Sequence, residues 1–182
     1  MQIKDPERVL RIANNTFSET GDHLLIAECC ANHMGSLELC KKMFKSAAMC
    51  GANSVKLQKR RNREQFRSQE YDRLYNSENS FGKTYGEHRE FLEFSNDQYS
   101  ELKEYAHSLG LLFGVTAFDE YSMHDVIKLG ADFIKIASGD SVNHQLLHLA
   151  RDSGLPTIVS TGCTTLKEVD MIDEIFRDRG NY

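Results

Sequence analysis

Two segments of the chain echo each other. Gly51-Ala52-Asn53-Ser54-Val55-Lys56-Leu57-Gln58 is answered by Gly130-Ala131-Asp132-Phe133-Ile134-Lys135-Ile136-Ala137, and each sets one lysine in the same slot of an apolar, β-branched run. Such runs read as parallel strands covered on both faces, so both ammonium groups are expected to be partly or wholly buried. An unpaired buried ammonium costs several kcal/mol, so each lysine calls for an anion. Glu28 ends an equally apolar run, Leu24-Leu25-Ile26-Ala27-Glu28, and can supply one. A self-satisfied Lys–Glu pair is the plainer alternative. Against it stand two lysines for one such carboxylate, and hydroxyls at the other run ends: Thr116, Ser138, Ser160 and Thr161. Two cations ringed by hydroxyl donors suit a phosphate or carboxylate, which needs convergent donors and charge neutralisation.

Other groups carry weaker signals. His144 and His148 stand four apart, but no third ligand is nearby, so no metal site is assigned. His33 follows a run end and fits a functional or a loop-anchoring role, while His107 and His124 fit solvated helix positions. Ser160 lies in no G-x-S-x-G elbow. Lys59-Arg60-Arg61 with Arg63 and Arg67 make a basic cluster, read either as a solvated loop face or as a hold on a second anionic substrate. The five cysteines (Cys29, Cys30, Cys40, Cys50, Cys163) show no C-x-x-C spacing and read as reduced thiols of a cytoplasmic protein, partly core filler.

The elements that must position these groups alternate. Strand-like runs near 24–28, 54–58, 111–116, 133–137 and 157–160 are separated by stretches of helical period. Ser36 caps the first helix, Ser95-x-x-Gln98 and Thr165-x-x-Glu168 are capping boxes, and Gly51, Gly110, Gly130 and Gly154 mark helix ends. Repeated βα units predict a parallel sheet with its site at the C-terminal ends of the strands. The segment from Lys59 to about Ser95 lacks sustained periodicity; a connection of that length follows a strand and belongs over the site.

Length and charge bound the class. The chain has 182 residues and a net charge of −5. That supports one core and argues against general nucleic-acid binding, though not against a local basic pocket. No apolar run approaches the roughly 18 residues of a membrane helix, and the charged N-terminus (Lys4, Asp5, Glu7, Arg8, Arg11) does not read as a secretory signal.

Taken together, Ile26-Ala27-Glu28, Asn32-His33-Met34-Gly35, Val55-Lys56-Leu57-Gln58, Thr116-Ala117-Phe118-Asp119, Ile134-Lys135-Ile136-Ala137-Ser138-Gly139-Asp140 and Ser160-Thr161-Gly162 resemble, in order, the pattern of sialic acid synthases. Phe81-Gly82-Lys83-Thr84-Tyr85-Gly86-Glu87-His88 is similar to the animal-type branch. The resemblance implies an α/β fold of the (β/α)8 TIM-barrel type. It also implies condensation of phosphoenolpyruvate with an N-acetylmannosamine-type sugar, free or 6-phosphorylated, aided by a divalent metal (Mn or Mg). By motif match, Lys56, Thr116, Lys135, Ser138 and Ser160 would hold phosphoenolpyruvate, Gln58 would touch the sugar, and Glu28 and Asp140 would act at the reaction centre.

The sequence departs from that pattern at Cys29-Cys30, Ala117, Gln145 and Cys163, and above all in length. A barrel takes about 250 residues. The expected organisation is an N-terminal segment (1–22) and a barrel truncated to about five βα units (23–182). The family's later strands, which bring the metal-binding histidines, and its antifreeze-like domain would then be missing. Three readings follow: a synthase fragment or half of a split enzyme, completed by a homodimer partner or a complementing C-terminal polypeptide; another phosphate-binding barrel enzyme such as a Schiff-base aldolase; or a non-catalytic remnant that binds ligand or a partner.

Overall fold

The computed structural model describes residues 9–178. Strands β1 (Val9–Ile12) and β2 (Asn15–Ser18) open the chain, followed by β3 (Ile26–Cys30), α1 (Leu37–Met49) and β4 (Ser54–Lys59). The long connection holds α2 (Asn62–Gln65), α3 (Ser68–Tyr71) and α4 (Tyr85–Leu92). Then come α5 (Asn96–Ser108), β5 (Leu112–Ala117), α6 (Glu120–Leu129) and β6 (Phe133–Ile136). A 3-10 turn (Ser138–Asp140), α7 (His144–Ser153), β7 (Thr157–Val159) and α8 (Leu166–Phe176) complete it.

Strands β3 to β7 form one sheet in chain order, every pairing parallel. This is the arc of a (β/α)8 barrel. Alternation along each strand divides its side chains between two faces. Val55, Leu57, Phe113, Val115, Ile134 and Ile136 face outward and are buried under the helices, in one core with Phe44, Leu102, Val126 and Leu147. The opposite face is the lumen. Its lower end is closed by the β1–β2 hairpin, whose Ile12 and Phe17 pack on Leu112 and Phe133 beside Ile26 and Ile158. Part of the segment expected to precede the barrel is therefore the plug of the barrel floor.

Local signals explain most boundaries. Ser36 Oγ accepts from the Leu39 N–H at 3.2 Å, and the boxes at Ser95/Gln98 and Thr165/Glu168 form as the spacing predicts. Gly130 and Gly154 end α6 and α7 in the left-handed region, at φ 65° and 70°, where a Cβ is disfavoured. One expectation is corrected. The stretch after Lys59 is not irregular throughout: Thr84 and Glu87 form a third capping box that opens α4. Its T-x-x-E spacing was present in the sequence, but the helix is short and its apolar period weak. Among the described residues, no helix is long and apolar enough to cross a membrane.

Candidate functional site

The register decides which side chains meet. Glu28 lies level with Lys56 and Gly114, and Gln58 level with Thr116 and Lys135. All these positions share the lumen face, one layer above the other. Phe133 fills the space beside Gly114: a Cβ on that glycine would collide with its ring. Apart from the buried Ser54, the lumen floor is thus apolar, and the charged groups begin immediately above it.

Lys56 is buried. Its ammonium is paired with Glu28 and donates to Thr116 Oγ1 at 2.7 Å. Glu28 also accepts from the Cys30 N–H at 3.1 Å, across a bulge where β3 loses register and Cys30 takes a φ of 46°. Lys135 has no such counter-ion. It donates to the Ile136 carbonyl at 2.7 Å and to Ser160 Oγ, and forms no ion pair among the described residues. Burial lowers the Lys135 pKa and the nearby Lys56 charge lowers it further, with Glu28 opposing. The two ammonium groups therefore feel one another in one pocket, and one carboxylate serves both.

Not all the sequence-predicted residues converge equally. Glu28, Lys56, Gln58, Thr116, Lys135 and Ser160 gather around the lysine pair. Ser138 is exposed on the turn after β6, against Gly162. Asp140 stands further out, on a cleft of about 620 Å³ with Glu64, Gln65, Phe118, Asp119 and Asn143. Burial raises its carboxyl pKa, while Asn143 and Arg60 oppose the shift. That cleft joins the start of the long connection to the loops after β5 and β6, so the connection lies at the C-terminal mouth, as its position after a strand predicted.

The basic cluster divides. Lys59 points outward, buried 4.5 Å from the Tyr99 ring centroid and 3.8 Å from Asp125, which Arg61 also approaches at 3.3 Å. Arg63 stacks on Tyr71. Only Arg60 turns into the lumen, where it donates to Gln58 Oε1 at 2.7 Å. Sequence reasoning named Arg60 only as one of the basic cluster, without separating it from its neighbours, and missed Phe118 and Glu93, which lie beside it. The signal for Arg60 and Phe118 was the strand period carried one step past the strand ends: 56, 58, 60 and 114, 116, 118.

Comparison with known proteins now bears on the site. The NeuB family model matches residues 43–182. The chain belongs to the NeuB family. It is 42% identical over 156 residues to the N-acetylneuraminate-9-phosphate synthase of Drosophila melanogaster, covering 86% of this chain and 42% of that protein. The Homo sapiens protein of the same name is 36% identical over 159 residues, covering 86% of this chain and 44% of that protein. In three dimensions the chain matches the N-acetylneuraminic acid synthetase of Leptospira borgpetersenii, solved with citrate. That match has a TM-score of 0.79 and 28% identity, over 95% of this chain and 56% of the other. The chain thus spans less than half the length of these curated relatives.

The remaining candidates resolve on structural grounds. His33 stacks on Phe94 with ring centroids 4.2 Å apart, its Nδ1 accepts from the Gly35 N–H at 3.1 Å, and burial lowers its pKa to about 4. It is a neutral loop anchor. His107 is tied to Asp132 at 2.7 Å, which also accepts from the Phe113 N–H. Burial pushes the Cys29 thiol up to about 11 and that of Cys40 up to about 12, so both are inert core groups. Among the described residues no three His, Cys, Asp or Glu side chains group to hold a metal ion. The described residues therefore do not supply the ligand set that the divalent metal implied by the resemblance would need.

Proposed function

We propose that this chain carries the phosphoenolpyruvate-binding half of a sialic acid-type synthase, acting on an N-acetylmannosamine-type aldehyde sugar. The observation that carries the reading is Lys135: a half-buried ammonium on the lumen face, beside a second buried ammonium, with no carboxylate of its own. A dianionic ligand resolves that imbalance. Its phosphate or carboxylate accepts from Lys135, Lys56 and the Thr116 and Ser160 hydroxyls, which bond those two ammonium groups. Family membership supports the choice of ligand.

In this reading C3 of the enol attacks the aldehyde carbon and forms the new C–C bond. The aldehyde oxygen takes up a proton, water adds at the cationic C2, and C–O cleavage releases inorganic phosphate. Glu28 lies against Lys56 at the lumen rim of that space, where its carboxylate orients the adding water and accepts its proton. Gln58, one layer higher, meets the sugar.

Calorimetric titration of the chain with phosphoenolpyruvate tests the binding half of this proposal. Saturable binding that Lys135→Ala abolishes is the expected result, and no binding by the unaltered chain overturns it. A Schiff-base aldolase also uses a lysine with lowered pKa. Borohydride trapping with pyruvate separates the two, since the synthase route forms no imine and leaves the chain's mass unchanged.

A further inference from the structure

Cys30 stands where a side chain is rarely tolerated. It ends β3 just past the bulge with a φ of 46°. Glycine adopts that left-handed region freely, and a residue with a Cβ does not. The bulge sends the neighbouring Cys29 into the core behind the sheet and sets Cys30 level with Leu57. The Cys30 side chain nevertheless reaches the lumen, where Sγ accepts from Gln58 Nε2 at 3.2 Å. Backbone strain of this kind persists where the surroundings over-determine it, and it collects at binding sites.

Cys30 also meets the carboxylate beside Lys56. Its N–H donates to Glu28 Oε1 at 3.1 Å. Burial raises the pKa of its thiol, Glu28 raises it further by hydrogen bond and charge, and Lys56 and Arg60 oppose. The sulfur therefore stays a neutral thiol, with a carboxylate on one side and an amide N–H on the other, and is no nucleophile. On the far side of Gln58, Arg60 Nη1 donates to Oε1 at 2.7 Å. A guanidinium can only donate, so the amide oxygen faces Arg60 and the amide nitrogen faces the sulfur. Held at both ends, the amide keeps one N–H and one oxygen lone pair for a ligand. Arg60, Gln58, Cys30, Glu28 and Lys56 thus form one continuous chain of contacts from the mouth to the lysine pair.

We infer that Cys30 is a positioning residue: it holds the Gln58 amide and the Glu28 carboxylate in one fixed relation, and so sets where the aldehyde end of the sugar lies against that carboxylate. The inference rests on the reading of Gln58 and Glu28 proposed above. A glycine at this position relaxes the backbone and frees the amide to turn. A serine keeps both a donor and an acceptor.

Calorimetric titrations of the unaltered chain, Cys30→Gly and Cys30→Ser with N-acetylmannosamine, its 6-phosphate and phosphoenolpyruvate test this. Cys30→Gly should weaken both sugars at least threefold, while its urea midpoint stays level or rises because the strain is gone. Cys30→Ser should recover most of the lost sugar affinity. Phosphoenolpyruvate affinity should stay within twofold in both variants. A merely structural cysteine would move stability and sugar affinity down together. The Gln58 side-chain amide gives a readout that needs no ligand: by heteronuclear NMR its protons should exchange faster with solvent in Cys30→Gly and not in Cys30→Ser. Unchanged amide exchange in Cys30→Gly overturns the inference, as does the absence of sugar binding by the unaltered chain. Phosphoenolpyruvate binding alongside a sugar affinity indifferent to Cys30 refutes the positioning role alone. Sugar affinity that falls in Cys30→Gly, with no phosphoenolpyruvate binding by the unaltered chain, refutes the lysine-pocket reading and upholds Cys30.

Discussion

Lys56 and Lys135 began as the same residue in the same slot, and the structure gives them different surroundings. Lys56 has Glu28 and Thr116; Lys135 has a carbonyl and a hydroxyl. The difference predicts different substitution effects. Lys135→Ala removes a charge that no protein group needs, so the folded chain should lose little stability while phosphoenolpyruvate affinity falls by about 2–5 kcal/mol. Lys56→Ala strands Glu28 and should cost stability as well as affinity. Parallel urea unfolding and calorimetry distinguish the two. Near-equal stability loss in both variants would contradict the asymmetry.

A second residue-scale prediction concerns pH. His33 has a folded pKa of about 4 against an ordinary 6.5, so below pH 6.5 the unfolded chain binds the proton first. Stability is then lost as pH falls from 6.5 toward 4, by up to roughly 3 kcal/mol. Glu93, raised from 4.5 to about 7, works in the opposite sense: its contribution is lost as pH rises through that window. The two slopes oppose between pH 4.5 and 6.5. His33→Asn should leave a chain that gains relative stability on acidification, and Glu93→Gln one that loses it. Urea midpoints at pH 7, 6 and 5 check both signs.

At the scale of elements, Asp119 joins three pieces of chain. Its side chain caps α6 through the Ser122 N–H at 2.7 Å, accepts from the Ser122 hydroxyl at 2.7 Å, and accepts from the Arg61 N–H at 2.8 Å. Removing an N-cap costs about 0.5–2 kcal/mol, and here the start of the long connection is released too. Asp119→Ala should destabilise at the upper end of that range and speed amide exchange at Arg61. A loss confined to α6 would show that the tie to the connection is dispensable. Strand β5 carries a sharper constraint: the Phe133 ring occupies the space a side chain at Gly114 would need. Gly114→Ala should cost about 1–3 kcal/mol by overpacking. A thermal midpoint unchanged from that of the unaltered chain would show that the ring has room to move.

For the whole molecule, the hairpin and the five-stranded arc depend on one another. The sheet's lumen face is apolar at its base, and Ile12 and Phe17 are what cover it. Phe17→Ala opens a cavity under Leu112 and Phe133 and should cost about 3 kcal/mol or more, with exchange protection lost in β5 and β6 as well as in the hairpin. Protection lost in the hairpin alone would mean that the arc stands without its plug.

The sequence by itself determined the repeating elements and their ends, because caps, glycine stops and apolar period are local signals that need no distant partner. It also determined that two lysines share a strand slot, since period-two alternation assigns a face without reference to neighbours. The pairing of Glu28 with Lys56 and not with Lys135 came only from the tertiary structure: it depends on parallel register between β3 and β4, which no residue encodes alone. The hairpin plug was illegible for the same reason, its apolar residues too few to show a pattern until the barrel floor gave them a surface. The division of the basic run is the clearest case. Lys59, Arg60, Arg61 and Arg63 are near neighbours of like charge. Strand alternation and the positions of Asp125, Gln58 and Tyr71, each brought close by folding, send Arg60 into the lumen and the others away from it.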